Sequence, residues 1–387
     1  MFSLKDASAT AREPEVAAVI EATDRFLASA SGPARFRAAR GDPDPAVDAT
    51  ACRRLAAIGL TGAPIPERFG GSGFAPGVAA LIADRLGHAL AREPFVENVV
   101  LPATLMLALG ESPCADALLA EMASGAAIAC VAFQEGALAL PSPVLPQATL
   151  ERERGGLRLR GRKRFVCGAR ASTRMLVLAA IDDEVALACV ASGAAGVSRQ
   201  DRQLADGTYW SDVEFDTLVP EDALVGRGER CIAALGRALD VANLALAGEL
   251  YGLQSRILEM TLDYLKTREQ FGQPLGAFQA LKHRAVDLYT RAQIARFLLG
   301  EAIDAAGGQA EAQTLAGYAS RCKARAADAG LEIAKEGLQL HGAIGFSDEF
   351  DLGLYVKRIL VRSAWLGGAD FHRRRCENLD LAPAEAA

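Results

Sequence analysis

The last third of the chain is dominated by helical patterns that run unusually far without a break. Positions 231–267 form one nearly continuous helical pattern, with only isolated glycines inside it. Three further patterns follow at 276–306, 311–341 and 350–362. Long helices with few breaks, placed one after another, are typical of an antiparallel bundle. We therefore expect an antiparallel helical bundle over residues 228–387.

Two other regions precede this bundle. Residues 1–128 contain amphipathic helical patterns separated by Gly- and Pro-rich breaks, at 15–28, 48–58, 77–91 and 114–123. Residues 129–227 contain short apolar runs and a hairpin pattern about Gly155-Gly156, which predict strands. The expected fold class is α+β: an N-terminal helical domain, a middle β-domain and a C-terminal bundle.

Charge argues against a nucleic-acid partner. The net charge is −6, whereas general nucleic-acid binders show a basic balance. One basic run, at 158–164, alternates charged with apolar residues. We interpret it as a strand with a solvated face rather than a phosphate-binding patch.

Cysteine usage and hydropathy favour a reduced, cytoplasmic protein without a membrane span. The eight cysteines are scattered, no CxxC pair exists and there are four histidines, so metal-ligand spacing is absent. The N-terminus lacks the apolar core of a secretory signal. No charge-free run reaches the roughly 20 residues that a bilayer requires.

Two motifs in the last third carry the chemistry. The first reads Arg-Glu-Gln-Phe-Gly-Gln-Pro-Leu at 268–275, with Phe-Gln following at 278–279. The second reads Gln-Leu-His-Gly-Ala-Ile-Gly-Phe at 339–346. Arg268 offers planar, permanently charged donors that suit a pyrophosphate. Taken alone, an arginine at a helix end, such as Arg268, is more often a C-terminal cap, and a Gly-x-x-Gly segment is usually an ordinary turn.

Together, these motifs resemble the flavin-binding segments of the acyl-CoA dehydrogenases. Two more stretches are similar to that family: Pro-Glu-Arg-Phe-Gly-Gly-Ser-Gly at 66–73, and Gly-Arg-Lys-Arg-Phe-Val-Cys-Gly-Ala at 161–169. Four such segments in order cover nearly the whole chain. No Gly-x-Gly-x-x-Gly stands between a strand and a helix, so a nicotinamide-binding Rossmann domain is excluded.

The resemblance implies that the C-terminal bundle has four helices, that FAD is the cofactor and that an acyl-CoA is the substrate. It also implies tetramers built from dimers, in which the ADP end of each FAD reaches a neighbouring subunit. The flavin ring of that FAD would lie between the β-domain and the bundle of one subunit. In that case the two motifs would supply the cross-subunit grip, through Arg268, Gln270, Phe271, Gln339, Gly342, Ala343 and Gly345. Ala343 replaces the family's second glycine.

The family's catalytic base is missing from its expected place. In the family a glutamate after the second motif removes the substrate α-proton, and here Leu366 stands at that position. Some members carry the glutamate on an earlier bundle helix, where this chain has Ala242, followed by Asn243 in place of a frequent arginine. We assign no catalytic residue.

Three carboxylates lie near these empty positions in the sequence: Asp240, Glu249 and Asp370. We interpret each of them as a solvated or capping group rather than a relocated base.

The β-domain departs from the family as well. The loop at 133–143 keeps only a Glu-x-Ala echo of the family's Thr-Glu-Pro-Gly-Ala-Gly-Ser-Asp pattern. Phe165 stands where a flavin-stacking tryptophan is common, and Cys167 where a threonine often meets the ring edge. We expect both to border the cofactor, with ordinary core packing as the alternative.

The positions that depart from the family pattern fall at the ring end of the flavin, and the positions that keep it fall at the ADP end. This suggests the non-catalytic partner in a heteromeric acyl-CoA dehydrogenase, similar to α2β2 enzymes for steroid side-chain CoA thioesters. A second subunit would carry the glutamate, and electron-transfer flavoprotein would accept the electrons. The alternatives are a homomeric dehydrogenase or oxidase with a relocated base, and a cofactor-free scaffold on the same fold.

Overall fold

The computed structural model describes residues 3–30, 32–136, 145–307 and 311–381, and the chain divides into two compact units. The first unit comprises Met1–Ala38, Pro76–Ala91 and Asn243–Ala387, and the second comprises Ala39–Ala75 and Arg92–Ala242. The domain boundaries at 128 and 227 stay predictions from the sequence pattern. Residues 382–387 and most of the 133–143 loop lie outside the described residues.

Helices occupy both ends of the chain, and strands occupy its middle. The α-helices are α1 (Pro14–Ala30), α2 (Pro33–Ala38), α3 (Ala46–Ala57), α4 (Pro76–His88), α5 (Leu101–Leu109), α6 (Pro113–Ala123), α7 (Glu229–Thr267), α8 (Gln279–Ala306), α9 (Ala312–His341), α10 (Leu352–Ala364) and α11 (Ala369–Leu381). The strands are β1 (Ala129–Ala132), β2 (Thr149–Glu153), β3 (Gly156–Cys167), β4 (Arg174–Ile181), β5 (Glu184–Ala191), β6 (Val197–Gln203), β7 (Tyr209–Val219), β8 (Leu224–Arg227), β9 (Glu269–Gln270) and β10 (Gln273–Pro274). The expected α+β class is confirmed.

In the first compact unit, the long C-terminal helices pack on one another and on α4. Helix α9 packs against α8, α10 and α11. Glycines allow α4 and α7 to approach closely: a Cβ at Gly87 would lie 2.2 Å from the Glu249 carbonyl oxygen, and one at Gly252 would lie 2.0 Å from that of Asp84. The four predicted C-terminal helices are present, and α11 is an additional one.

Helix α7 is the one helix among the described residues that is long and apolar enough to cross a membrane. Within its most apolar window, 78% of the residues are buried inside the protein. A helix that is apolar on all sides and covered by its neighbours is a core helix. Its length and hydropathy are therefore explained by packing.

The second compact unit is built around a β-sheet. Its strands follow the order β6-β7-β3-β2-β4-β5-β8, with β1 added in parallel to β4. Antiparallel pairing joins β3 to both β2 and β7. The core beneath it includes Leu157, Leu159, Val177, Val213 and Phe215.

The basic run at 158–164 forms part of strand β3, as predicted. Arg158 bonds to Asp216 at 2.7 Å, and Arg160 bonds to Glu151 at 3.0 Å, across neighbouring strands. Cross-strand ion pairs of this kind occupy a solvated sheet face. The prediction that this run forms a strand with a solvated face is confirmed.

Candidate cofactor site

The first motif forms a short β-hairpin directly after helix α7. Glu269–Gln270 pairs in antiparallel fashion with Gln273–Pro274. Phe271 and Gly272 form the turn, with φ values of 53° and 76°. Two central residues with positive φ give a type I′ turn, whose twist matches the two short strands. The hairpin is tied to the helix because the Arg268 amide donates to the Tyr264 carbonyl at 2.8 Å.

The side chains of this hairpin are directed away from the chain's own core. Arg268 and Gln270 are exposed, and the Phe271 ring is 92% exposed at the tip. Phe278 meets that ring edge-on, with centroids 6.3 Å apart. No carboxylate in the described part of the chain forms an ion pair with Arg268. A guanidinium cation and a large aromatic ring are therefore exposed on the surface of this hairpin.

The second motif ends helix α9 and turns sharply. Gln339 is exposed on the last turn of the helix, and Gly342 follows it with φ 64°. Gly342 and Ala343 lie on the surface, whereas Gly345 is buried. A Cβ at Gly345 would lie 3.1 Å from the His341 Cβ, so this glycine serves packing within the chain. The expected close approach to the cofactor remains a prediction for both Gly342 and Gly345.

Leu366 lies in the loop between helices α10 and α11, with its side chain buried. Its φ is 57° and it is 1% exposed. The buried Lys323 Nζ donates to the carbonyls of Ser363 and Gly367, at 2.9 Å each. His372 Nε2 donates to the Leu366 carbonyl at 3.0 Å. Three hydrogen bonds from two buried side chains thus fix this loop, and its correspondence to the position of the family's base remains a prediction.

Burial changes the ionisation of both groups that hold this loop. Burial, followed by repulsion from Arg362, lowers the Lys323 pKa to about 7. Burial, followed by the charge of Lys323, lowers the His372 pKa to about 3. His372 is therefore neutral at physiological pH, and Lys323 is close to its midpoint.

Two of the nearby carboxylates are buried, which corrects the expectation that they are solvated or capping groups. Asp240 is 5% exposed and Glu249 is 6% exposed. Glu249 Oε1 accepts from Arg362 Nε at 2.8 Å and lies 3.0 Å from the Arg358 side chain. These guanidinium groups compensate the buried charge. Asp370 agrees with the expectation, since it is exposed and bonded to Arg373.

Phe165 and Cys167 lie in the second compact unit, at the end of strand β3. A β-bulge between Lys163 and Val166 gives Phe165 a φ of 52°, and its amide donates to Asp212 at 3.2 Å. The Phe165 ring is half-buried and contacts Trp210 edge-on at 6.2 Å. Bulges re-aim side chains and are frequent beside functional sites. The expected position of Phe165 and Cys167 beside a flavin remains a prediction.

A buried carboxylate that the sequence analysis did not single out lies beside Cys167. Glu97 is 5% exposed, and its Oε1 accepts from the Cys167 Sγ at 3.7 Å. Lys323 was missed as well. The sequence signal for Lys323 was its helical phase, because it shares a face of α9 with Ala319, Ala326, Ala327 and Gly330, all of which are buried.

The surviving glutamate of the 133–143 loop has a structural role. Glu135 forms a 2.5 Å ion pair with the fully buried Lys163 and accepts from the amides of Gln147 and Ala148. Burial alone would raise the Glu135 pKa, but these donors hold it below its usual value. The rest of the loop pattern, 137–143, lies outside the described residues.

Comparison with known proteins defines the class to which this fold and these motifs belong. Residues 13–126 match the family model described as Acyl-CoA dehydrogenase, N-terminal domain, and residues 232–377 match the one described as Acyl-CoA dehydrogenase, C-terminal domain. The chain belongs to the acyl-CoA dehydrogenase family.

Individual relatives show which members of this family the chain is similar to. The chain is 30% identical over 349 residues to the acyl-CoA dehydrogenase IpdE2 of Mycobacterium tuberculosis, covering 87% of this chain and 88% of that protein. Among solved structures, a chain from a variant of the Tcur3481-Tcur3483 steroid ACAD is 29% identical, with a TM-score of 0.82 over 96% of this chain and 99% of that one. A chain of the Mycobacterium tuberculosis ChsE4-ChsE5 complex is 25% identical, with a TM-score of 0.83 and the same coverage.

A more distant solved structure shows the same fold. PigA, solved in complex with FAD, shares the fold, with a TM-score of 0.81 at 21% identity over 95% of this chain and 98% of that one. FAD is the cofactor of this family. The described residues are compatible with it, since Arg268 is exposed and forms no ion pair with any of them. Among the described residues there is no group of His, Cys, Asp and Glu that could hold a metal ion.

Proposed function

We propose that this chain is a subunit of an FAD-dependent acyl-CoA dehydrogenase, and that it completes the FAD site of a second, glutamate-bearing subunit without being catalytic itself. One contrast carries the proposal. The phosphate-binding motif projects as a hairpin whose cation, Arg268, forms no ion pair within the described chain. At the position of the family's base, Leu366 is apolar, buried and held by Lys323 and His372.

In this assignment Arg268 contacts the pyrophosphate of FAD. Gln270 and Gln339 donate to its polar groups, while Phe271 packs beside them and the Gly342-Ala343 turn brings backbone close. FAD, when bound, accepts the hydride removed from the substrate. Proton removal requires an ionisable group near the substrate α-carbon, which leucine at 366 and alanine at 242 do not provide. The base is therefore assigned to the partner.

The proposed substrate is an acyl-CoA thioester, which is desaturated between its α and β carbons. A steroid-derived acyl group is supported by the 29% identity to a chain of a steroid ACAD and by the likeness to the ChsE4-ChsE5 complex. Each of these two names joins two gene products, which supports a heterotetramer here. Electron-transfer flavoprotein is the proposed electron acceptor.

Exposed apolar side chains support an assembly of subunits. Large exposed apolar residues lie on the hairpin, on the turn of the second motif and along α8: Phe271, Phe346, Val286 and Phe297, which are 92%, 76%, 59% and 62% exposed. Exposed apolar surface of this kind marks interaction sites. The eight cysteines are free thiols, which supports the proposed cytoplasmic location.

Co-expression with a glutamate-bearing dehydrogenase subunit tests this proposal. We expect a yellow complex that contains two FAD per four chains and bleaches with an acyl-CoA. Replacing the partner's catalytic glutamate with glutamine abolishes bleaching. When this chain is purified alone, addition of an acyl-CoA should not reduce any FAD that it retains. A homomer that binds FAD and bleaches on its own contradicts the proposal.

One observation favours a second candidate, a homomeric dehydrogenase with a relocated base. Glu97 is a buried carboxylate next to Cys167, a residue expected at the ring edge. If Glu97 were the base, the isolated chain would be active, and Glu97→Gln would abolish bleaching without removing FAD. In the heteromer that we propose, Glu97→Gln leaves the partner's bleaching intact.

A further inference from the structure

His341, which lies inside the second motif, contacts the helix that carries the first. Its ring stacks on Tyr264, with centroids 4.5 Å apart and planes 26° apart. Tyr264 lies in the last turn of α7, and its carbonyl accepts from the Arg268 amide at 2.8 Å. The Arg268 carbonyl in turn accepts from the Leu275 amide at 2.8 Å, which closes the hairpin. The two motifs are therefore connected through one aromatic contact, the stacking of His341 on Tyr264.

The orientation of the His341 ring is fixed on several sides. The residue is 3% exposed, and Nδ1 donates to the Gly337 carbonyl at 2.8 Å. Phe350 packs on the ring with a centroid distance of 5.1 Å. Burial lowers the His341 pKa, a shift that the carbonyls of Gly337 and Met260 only partly oppose. The ring is therefore neutral at physiological pH, and its stacking does not depend on charge.

The same residue supports the turn of the second motif. Gly342 follows it with φ 64°, and a Cβ at Gly345 would lie 3.1 Å from the His341 Cβ. The chain thus folds back tightly over His341 between positions 342 and 346. The turn is therefore packed directly against His341, whereas the hairpin is connected to His341 through Tyr264.

We infer that His341 is a positioning residue, which holds the Arg268 hairpin and the Gly342 turn at the spacing that one dinucleotide requires. This inference rests on the proposed function, because it assumes that the two segments bind the same FAD. Each segment alone offers a few exposed donors. Their joint affinity depends on a fixed distance between them, because misplaced donors lose part of their contribution to binding.

Double-mutant analysis of FAD binding tests the inference. The heteromer is prepared with wild-type chain, His341→Ala, Arg268→Ala and the double variant, and FAD is titrated into each deflavinated complex. We expect His341→Ala to raise the Kd about tenfold. Because misplacing the hairpin already removes the Arg268 contact, the double variant should bind FAD little more weakly than Arg268→Ala. His341→Phe, which keeps an aromatic ring on Tyr264, should recover most of the affinity.

A second readout does not use the flavin. Amide hydrogen exchange in the deflavinated complex should accelerate at 268–275 and 342–347 in His341→Ala, and not in His341→Phe. Leu299→Ala is the control for general destabilisation, since Leu299 is 1% exposed on α8 and was not assigned to either motif. It should lower the unfolding temperature without raising the FAD Kd.

The outcomes separate the inference from the proposed function. If Arg268→Ala leaves the Kd unchanged, the proposed function fails. If Arg268→Ala weakens binding but the effect of His341→Ala simply adds to it, only the positioning role of His341 is refuted. The same conclusion follows if Leu299→Ala raises the Kd as much as His341→Ala does.

Discussion

Lys323→Met is the substitution whose effect can be worked out furthest from the structure. Lys323 is fully buried on α9, and its ammonium group donates to two carbonyls of the 363–367 loop. No carboxylate among the described residues forms an ion pair with it. Burial, followed by the charge of Arg362, lowers its pKa from 10.5 to about 7. In the unfolded chain the same group keeps its ordinary pKa.

The sign of the pH dependence follows from these two values. Between pH 7 and 10.5 the unfolded chain binds about one proton more at this site than the folded chain does. The free energy of unfolding therefore rises with pH, by at most about 1.4 kcal/mol per pH unit. Over the whole interval this gives an upper limit of about 5 kcal/mol. Below pH 7 the penalty is complete and no longer changes.

Methionine at 323 removes this titration and also leaves two carbonyls without their donor. The lost hydrogen bonds cost about 1–3 kcal/mol each, independently of pH. The two effects are therefore separable. The advantage of the wild-type chain over Lys323→Met should be smallest near pH 7 and should grow by roughly 1 kcal/mol per unit towards pH 9.5.

Urea unfolding of the complex at a series of pH values between 7 and 9.5 measures this difference. His372 does not titrate in this window, because its pKa is about 3. Lys335→Met is the matched control, since Lys335 is an exposed lysine on the same helix and should show no pH-dependent difference. A difference between wild type and Lys323→Met that stays constant from pH 7 to 9.5 would refute the argument.

Three further substitutions test the site. Arg268→Ala should weaken FAD retention in the complex by about 1.5–3 kcal/mol, which is the value of a charge-assisted contact. Lys266→Ala removes a neighbouring cation and should leave FAD retention unchanged. Unchanged FAD occupancy of the Arg268→Ala complex on titration would contradict the prediction. Glu249→Gln removes the carboxylate that two buried guanidinium groups share and should cost about 3–5 kcal/mol in urea unfolding, so a loss below about 1 kcal/mol would be inconsistent. Leu366→Glu buries a carboxylate and should destabilise by about 2 kcal/mol or more, while Leu366→Met should stay within about 1.5 kcal/mol; equal urea midpoints would rule this out.

The elements that the sequence predicted well carry their own periodic signal. Helix α7 and the β2–β3 hairpin about Gly155 follow directly from apolar spacing and turn chemistry. The elements that were missed lack such a signal. Strand β6, at the edge of the sheet, reads Val-Ser-Arg-Gln-Asp-Arg-Gln and has no apolar alternation, because it is largely exposed. Helix α11 is polar and short, and helix α5 is apolar on nearly every side, so neither shows a clear amphipathic period.

The candidate site divides in the same way. Arg268, Gln270 and Gln339 could be named from local motifs, because consecutive residues build the hairpin and the turn. Lys323 and His372 could not be assigned to the Leu366 loop from sequence, since Lys323 is some 40 positions away from it and their contact depends on how α9, α10 and α11 pack. Glu249 was misjudged for a related reason. Its partners Arg358 and Arg362 are about a hundred positions further along the chain, and only the packed bundle brings them together.

Charged groups have different surroundings at the Leu366 loop and at the Arg268 hairpin. At the Leu366 loop, polar groups serve the chain itself: Lys323 and His372 saturate backbone carbonyls, and Glu249 is compensated by arginines. At the hairpin the opposite holds, because Arg268 has no ion-pair partner within the described chain. A solvated cation costs little to keep, and it contributes to binding only when another molecule brings an anion. The hairpin therefore presents an exposed cation, whereas the polar groups around position 366 form structural hydrogen bonds within the chain.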